Sequence, residues 1–126
     1  MSQMKIETIT GTTNSGGTVT VYSQPITGEL YSLVTDFDSL GTTADVTITG
    51  NETGIPVLTL TNLGTPSAAN STWTPRTATH NTSAAAALYA AGGTAVNARI
   101  PLSEQMKVAV VQGGDTKAFT LYAYWR

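Results

Sequence analysis

The stretch AFTLYAYW, Ala118–Trp125, decides the fold class because its large apolar and polar side chains alternate along the chain. In an extended backbone Phe119 and Leu121 fall on one side, whereas Tyr122 and Tyr124 fall on the other. A period of two residues is typical of an antiparallel β-strand that buries one face and leaves the other at the surface.

Other stretches repeat this period, with Gly- and Asn-rich turns between them. The segments GNETG, residues 50–54, and QGGDT, residues 112–116, predict hairpin connections, because both supply residues that tolerate positive φ. About six to eight short strands of this kind predict an all-β chain: a single-domain, antiparallel, jelly-roll-like β-sandwich. The further predicted strands are Thr18–Ser23, Gly28–Phe37, Ala44–Gly50, Ile55–Asn62 and Met106–Gln112.

A long loop, residues 63–96, interrupts the strand pattern. Within it, SAAAALYAAGG predicts one short α-helix near residues 83–92, with Ser83 as N-cap and Gly92 as the left-handed residue that ends it. Leu88 and Tyr89 are its sizeable apolar side chains. The helix either covers an open end of the sandwich or contacts a neighbouring subunit, and the sequence does not separate these alternatives. The domain organisation predicted is an N-terminal arm and first strand, 1–17, followed by the β-sandwich, 18–126.

The composition excludes several classes of protein. The chain has 126 residues, no cysteine and one histidine, so disulfides, thiolate metal sites and His-cluster metal sites are excluded. Its six basic residues are scattered and outnumbered by eight acidic ones, which argues against nucleic-acid binding. No apolar run approaches the ~20 residues of a membrane span, and the N-terminus lacks the apolar core of a secretory signal. We therefore expect synthesis in the cytoplasm.

The charge content points to a protein that works in an assembly. Charged residues make up 11% of the chain, against about 25% in an average soluble domain. Thr is the commonest residue, and β-branched Thr suits a strand surface without adding charge. Because few charges repel neighbouring copies, association with itself or with a partner is favoured.

Candidate chemical groups are few. Asp36 and Asp38 could cleave glycosides or, together with Asp45 or Glu52, bind Ca²⁺, but the position of the pair just before a turn favours solvated carboxylates at a strand end. His80 could pair with Ser71 or Ser83, yet no nucleophile-elbow motif is present, and a structural hydrogen bond is the preferred interpretation. We expect no enzyme activity, no metal and no cofactor.

The segment TWTPR, residues 72–76, joins Trp73 to Arg76 through a proline that fixes their directions. Trp and Arg are the residues most enriched at binding hot spots. The alternative interpretation is that Trp73 covers the core and Arg76 forms an internal salt bridge.

The segment WTPRTATHNTSAAAALYAAGGTAVNARIPL, residues 73–102, resembles small tailed-bacteriophage capsid decoration (cement) or head-associated proteins. The matching elements are the aromatic-x-Pro-Arg motif, a histidine four residues later, ALYAAGGTAV, and the stretch MKVAVVQGGDTKAFTLYAYW that follows. The resemblance implies a β-sandwich or jelly roll that forms a homotrimer on the exterior of an icosahedral virion. There it would clamp adjacent subunits of the major capsid protein, which has the HK97-type fold.

Under this resemblance the N-terminal arm and the long loop are the elements that contact the shell or a neighbouring subunit. The candidate contact residues are Met4, Ile6, Trp73, Arg76, His80, Leu88 and Tyr89. Two other functions stay open. A carbohydrate- or receptor-binding module would use Trp73, Tyr122, Tyr124 and Trp125, and a tail or neck component of the virion would form rings of another symmetry.

Overall fold

Ten β-strands make up the regular structure of a computed structural model that describes residues 3–64, 69–78 and 97–126. The predicted helix near residues 83–92 lies outside the described residues. The strands are β1 (Lys5–Thr12), β2 (Val19–Tyr22), β3 (Ile26–Asp36), β4 (Asp45–Gly50), β5 (Pro56–Leu60), β6 (Thr72–Trp73), β7 (Arg76–Ala78), β8 (Asn97–Glu104), β9 (Met106–Val111) and β10 (Ala118–Trp125).

The strands form two antiparallel sheets with jelly-roll topology. The six-stranded sheet has the order β1-β10-β3-β8-β7, with β6 also paired to β3, and the four-stranded sheet has the order β2-β9-β4-β5. Early strands pair with late ones: β1 with β10, β2 with β9 and β3 with β8. These pairs alternate between the two sheets, which is the arrangement of a jelly roll. The predicted fold class, a jelly-roll-like antiparallel β-sandwich, is confirmed.

The core lies between the sheets and follows from the alternation of each strand. On β10, Phe119 and Leu121 are buried while Tyr122 and Tyr124 are half-buried on the opposite side. Phe37 meets Phe119 edge to face, with ring centroids 5.5 Å apart. The other fully buried large side chains are Ile26, Leu30, Leu33, Val46, Ile48, Ile100, Met106, Val108 and Val110.

One of the two predicted hairpins is wrong. The turn at residues 50–54 does join the paired strands β4 and β5, but residues 112–116 carry the chain from β9 in the four-stranded sheet to β10 in the six-stranded sheet. Positive φ angles at Gln112 (57°), Gly114 (90°) and Thr116 (53°) make this crossing. The glycines that suggested a hairpin serve a connection between the sheets instead, because a jelly roll pairs distant strands.

The N-terminal segment contains a full strand of the sandwich. β1 pairs with β10 from Lys5 to Thr12, and Ile9 is buried against the core. A further strand, β8, lies outside the strands predicted from the alternation. Pro101 lies within β8, at a position that β7 does not reach.

Candidate functional site

The outer face of the six-stranded sheet, which points away from the four-stranded sheet, combines exposed apolar side chains, tyrosines and arginines. At its β1 edge, Met4 and Ile6 are 44% and 60% exposed. Ile6 lies opposite Tyr124 in the β1–β10 register, and Thr8 lies opposite Tyr122. The face therefore runs from an apolar edge to a row of tyrosines in the middle of the sheet.

A β-bulge in β3 adds a third tyrosine to this face. The register pairs Tyr124 with Ser32 but Trp125 with Leu30, so Tyr31 is the extra residue. Because of the bulge, Leu30 and Leu33 both point into the core, and Tyr31 lies beside the exposed Arg99 on the outer side. Bulges redirect a side chain at a chosen point of a sheet and are common next to functional sites.

The three arginines of the chain converge on Tyr31, and we call Arg76, Arg99 and Arg126 the arginine cluster. The guanidinium carbon of Arg99 lies 4.0 Å from the centroid of the Tyr31 ring, and that of Arg126 lies 5.0 Å from it. Arg126 also donates a hydrogen bond of 2.7 Å to the Tyr31 hydroxyl. Nη1 of Arg76 lies 3.4 Å from the Tyr31 carbonyl oxygen. The Tyr31 side chain thus contacts two of the cations, Arg99 and Arg126, and its backbone carbonyl group contacts the third, Arg76.

Gly28 allows Arg126 to reach this position. The Glu29 and Arg126 backbones exchange two hydrogen bonds, of 2.9 and 3.0 Å. A Cβ atom on Gly28 would lie 2.6 Å from the Arg126 carbonyl oxygen, and the φ angle of Gly28 is 150°, which side chains rarely adopt. Only glycine leaves room for the end of β10 to lie against β3 here.

No acidic side chain in the described part of the chain accepts a hydrogen bond from the arginine cluster. Within the described residues the hydrogen bonds of its guanidinium groups go to neutral oxygens. All acidic residues of the chain fall inside the described ranges, and none of them accepts a hydrogen bond from these arginines. The acidic residues are Glu7, Glu29, Asp36, Asp38, Asp45, Glu52, Glu104 and Asp115.

The predicted contact residues are not all on this face. Trp73 on β6 lies opposite Leu33, packs against the core, and donates from Nε1 to the Thr35 hydroxyl at 3.3 Å. Of the alternatives for TWTPR, the geometry favours Trp73 as a cover for the core. Arg76 donates to the Pro75 carbonyl oxygen at 2.8 Å instead of forming a salt bridge. Trp125 also packs against the core, with the Lys5 ammonium 4.7 Å from its ring centroid.

Met4 and Ile6 are exposed at the sheet edge as candidate contact residues require, whereas His80, Leu88 and Tyr89 lie outside the described residues. Asp36 at the end of β3 and Asp38 in the following turn are both exposed. No group of three or more His, Cys, Asp or Glu side chains in the described part of the chain could hold a metal ion.

Glu104 is the one buried carboxylate among the described residues, and its role is structural. Its oxygens accept hydrogen bonds from the Thr53 hydroxyl (2.6 Å) and from the backbone N–H groups of Thr53 (2.9 Å) and Glu52 (2.6 Å). These bonds, led by that of the Thr53 hydroxyl, hold the pKa of Glu104 below its usual value, against an opposing effect of burial. The carboxylate stabilises the β4–β5 turn.

The arginine cluster was not anticipated from the sequence, where its members are far apart and were counted among scattered basic residues. Their proximity depends on β10 lying between β1 and β3, and on β7 lying beside β8. One local signal was available. Leu30 and Leu33 share a burial face only if the alternation breaks between them, which marks Tyr31 and Ser32 as irregular.

Comparisons of the chain with known protein families, with curated proteins and with solved structures find no match. In the described ranges we find no helix that is long and apolar enough to cross a membrane.

Proposed function

We propose that this protein is a non-catalytic structural component of a virion. It binds the exterior of an icosahedral phage capsid as a homotrimer and reinforces the contacts between major capsid subunits. The observation that carries this proposal is the exposed apolar edge formed by Met4 and Ile6, beside Tyr124 on the outer face.

An apolar sheet edge in water favours contact with another protein. β1 ends the six-stranded sheet, and among the described strands it forms a β-ladder with β10 alone, so its other edge has the character of a strand edge that can pair with a partner. An exposed Met, half-buried Tyr side chains and arginines on one sheet face match the composition of protein–protein interfaces, in which Met, Tyr and Arg are enriched. The outer face therefore has the features of a docking surface.

Two further observations support a capsid as the partner. The jelly roll is a common architecture of viral capsid domains, an argument from fold alone. The resemblance of residues 73–102 to decoration proteins points to the same class of partner. A trimer that holds several capsid subunits at once would gain avidity, because after the first contact the others form at high effective concentration.

The test is co-sedimentation with expanded, empty capsids of a tailed phage whose genome encodes the chain. We expect the wild-type protein to sediment with the capsids and to be a trimer by light scattering. The double variant Met4→Glu/Ile6→Glu should lose at least about tenfold in apparent affinity, since burying two charges in an apolar contact is costly. The matched control is Val111→Glu, because Val111 is 45% exposed but lies on the four-stranded sheet.

Wild-type protein that stays in the supernatant contradicts the proposal. Equal losses in the double variant and in Val111→Glu contradict the choice of surface, because the outer face would then have no special role. Binding to glycan arrays without binding to capsids would support the carbohydrate-binding alternative instead.

A further inference from the structure

We infer that the arginine cluster is a binding site for carboxylate groups, supplied by an acidic segment of the partner protein. This inference rests on the proposed function, because it names the chemistry of the surface that the outer face meets. It concerns residues other than Met4 and Ile6, so the two ideas can fail separately.

First, repulsion within the arginine cluster destabilises the isolated chain. Arg76 and Arg99 lie directly opposite each other in the β7–β8 register, and like charges at such positions destabilise a sheet. Arg126 approaches the same tyrosine ring from β10. With a net charge of −2, the chain has enough acidic side chains to pair every arginine, yet none of them accepts a hydrogen bond from these three cations. A bound anion would offset this repulsion.

The second step is that the guanidinium groups are already oriented. Stacking on the Tyr31 ring and the 2.7 Å bond to its hydroxyl limit the rotamers of Arg99 and Arg126. Arginines held in this way lose less side-chain entropy when they bind. A planar guanidinium group can donate two parallel hydrogen bonds to one carboxylate, so each arginine can bind one acidic side chain with defined geometry.

The third step concerns the source of the carboxylate. The Tyr31 ring already contacts both Arg99 and Arg126, which reduces the ring surface that could stack on a sugar ring. The surface next to Tyr31 is apolar and aromatic at Ile6 and Tyr124. Protein interfaces likewise combine an apolar centre with a polar rim. An acidic polypeptide segment fits both the cations and their neighbours.

The experiment measures binding of a fluorescein-labelled oligoglutamate peptide to the full chain by fluorescence anisotropy at low ionic strength. A heparin fragment is the comparison probe for a sulfated sugar. The test variant is Arg99→Gln/Arg126→Gln, and the matched control is Lys107→Gln/Lys117→Gln, which removes the same charge from positions elsewhere in the chain. We expect the Kd for oligoglutamate to rise about tenfold or more in the arginine variant, since charge-assisted bidentate pairs are lost, and to change less than about twofold in the lysine variant.

Equal weakening in the two double variants would overturn the inference, because net charge alone would then explain binding. Binding of heparin through the cluster, with no binding of oligoglutamate, would overturn it in favour of an anionic sugar. Tyr31→Phe serves as a second variant that retains the aromatic ring and the charges but lacks the hydroxyl bonded to Arg126. It should weaken oligoglutamate binding to an intermediate degree, and unchanged binding would count against the role assigned to Tyr31.

The two proposals give separate outcomes because the peptide assay needs no capsid. Oligoglutamate binding without capsid binding removes the proposed function and leaves the site. Capsid binding that depends on Met4 and Ile6, without oligoglutamate binding, removes the site and leaves the function.

Discussion

Replacement of Thr13 with Val tests whether buried hydroxyl groups hold the loops of this threonine-rich chain together. Thr13 follows β1 and is 3% exposed. Its hydroxyl donates to the Gly114 carbonyl oxygen at 2.5 Å and accepts from the Lys117 backbone N–H at 2.8 Å. Both partners belong to the crossing between β9 and β10, so a single side chain joins the end of β1 to the connection between the sheets.

The expected loss follows from these two bonds. Valine has nearly the same volume, but it leaves the carbonyl and N–H groups without their partner, which costs about 1–3 kcal/mol of the free energy of unfolding. For a chain of this length, a loss in that range lowers Tm by about 4–12 °C. The assay is thermal unfolding, together with urea unfolding to check that the m-value is unchanged.

The control for this prediction is Thr12→Val. Thr12 is the neighbouring residue and is exposed at the end of β1, so its replacement should change Tm by no more than about 2 °C. If Thr13→Val and Thr12→Val have the same Tm, the buried hydroxyl contributes nothing and the reasoning fails.

Three further predictions concern other parts of the sandwich. Glu104→Gln should abolish an acid-sensitive part of stability: the lowered pKa stabilises the native state at neutral pH, and this contribution is lost as the pH falls below about 4.3. Urea unfolding between pH 7 and pH 3 measures it, with Glu52→Gln as the control in the same turn. Gly28→Ala should cost about 1–3 kcal/mol and shift the amide resonance of Arg126, because the added methyl group meets the end of β10. Trp73→Ala should lower the free energy of unfolding by about 2–4 kcal/mol, as expected for a residue that covers the core, and an unchanged Tm would show that Trp73 is a contact residue instead.

The strands themselves were predictable because their signal is local. In Ala118–Trp125 and Met106–Val111, alternation of side chains matches burial of one face, and neither prediction depends on the partner strand. The connection between them was not predictable in the same way. A hairpin and a crossing between sheets both need residues with positive φ, so QGGDT is compatible with either.

The candidate site was predictable only in part, because one part of it depends on pairing between strands that are distant in the sequence. Met4 and Ile6 were identified from their place near the N-terminus, and their exposure at a sheet edge agrees with a contact role. The arginine cluster depends on long-range strand pairing, which a period of two residues does not show. The break in alternation between Leu30 and Leu33 marks only the irregularity at Tyr31.

The position of β10 has a consequence for how the protein matures. This late strand lies in the interior of the six-stranded sheet, between β1 and β3, and contributes Tyr122, Tyr124 and the following Arg126 to the outer face. During synthesis the earlier strands therefore emerge well before the strand that joins them, and sandwich folds with such distant pairings form slowly. A nascent or truncated chain without β10 lacks the strand that joins β1 to β3 and the two tyrosines that this strand places on the outer face. Under the proposed function, competence to bind a capsid would therefore depend on completion of the fold.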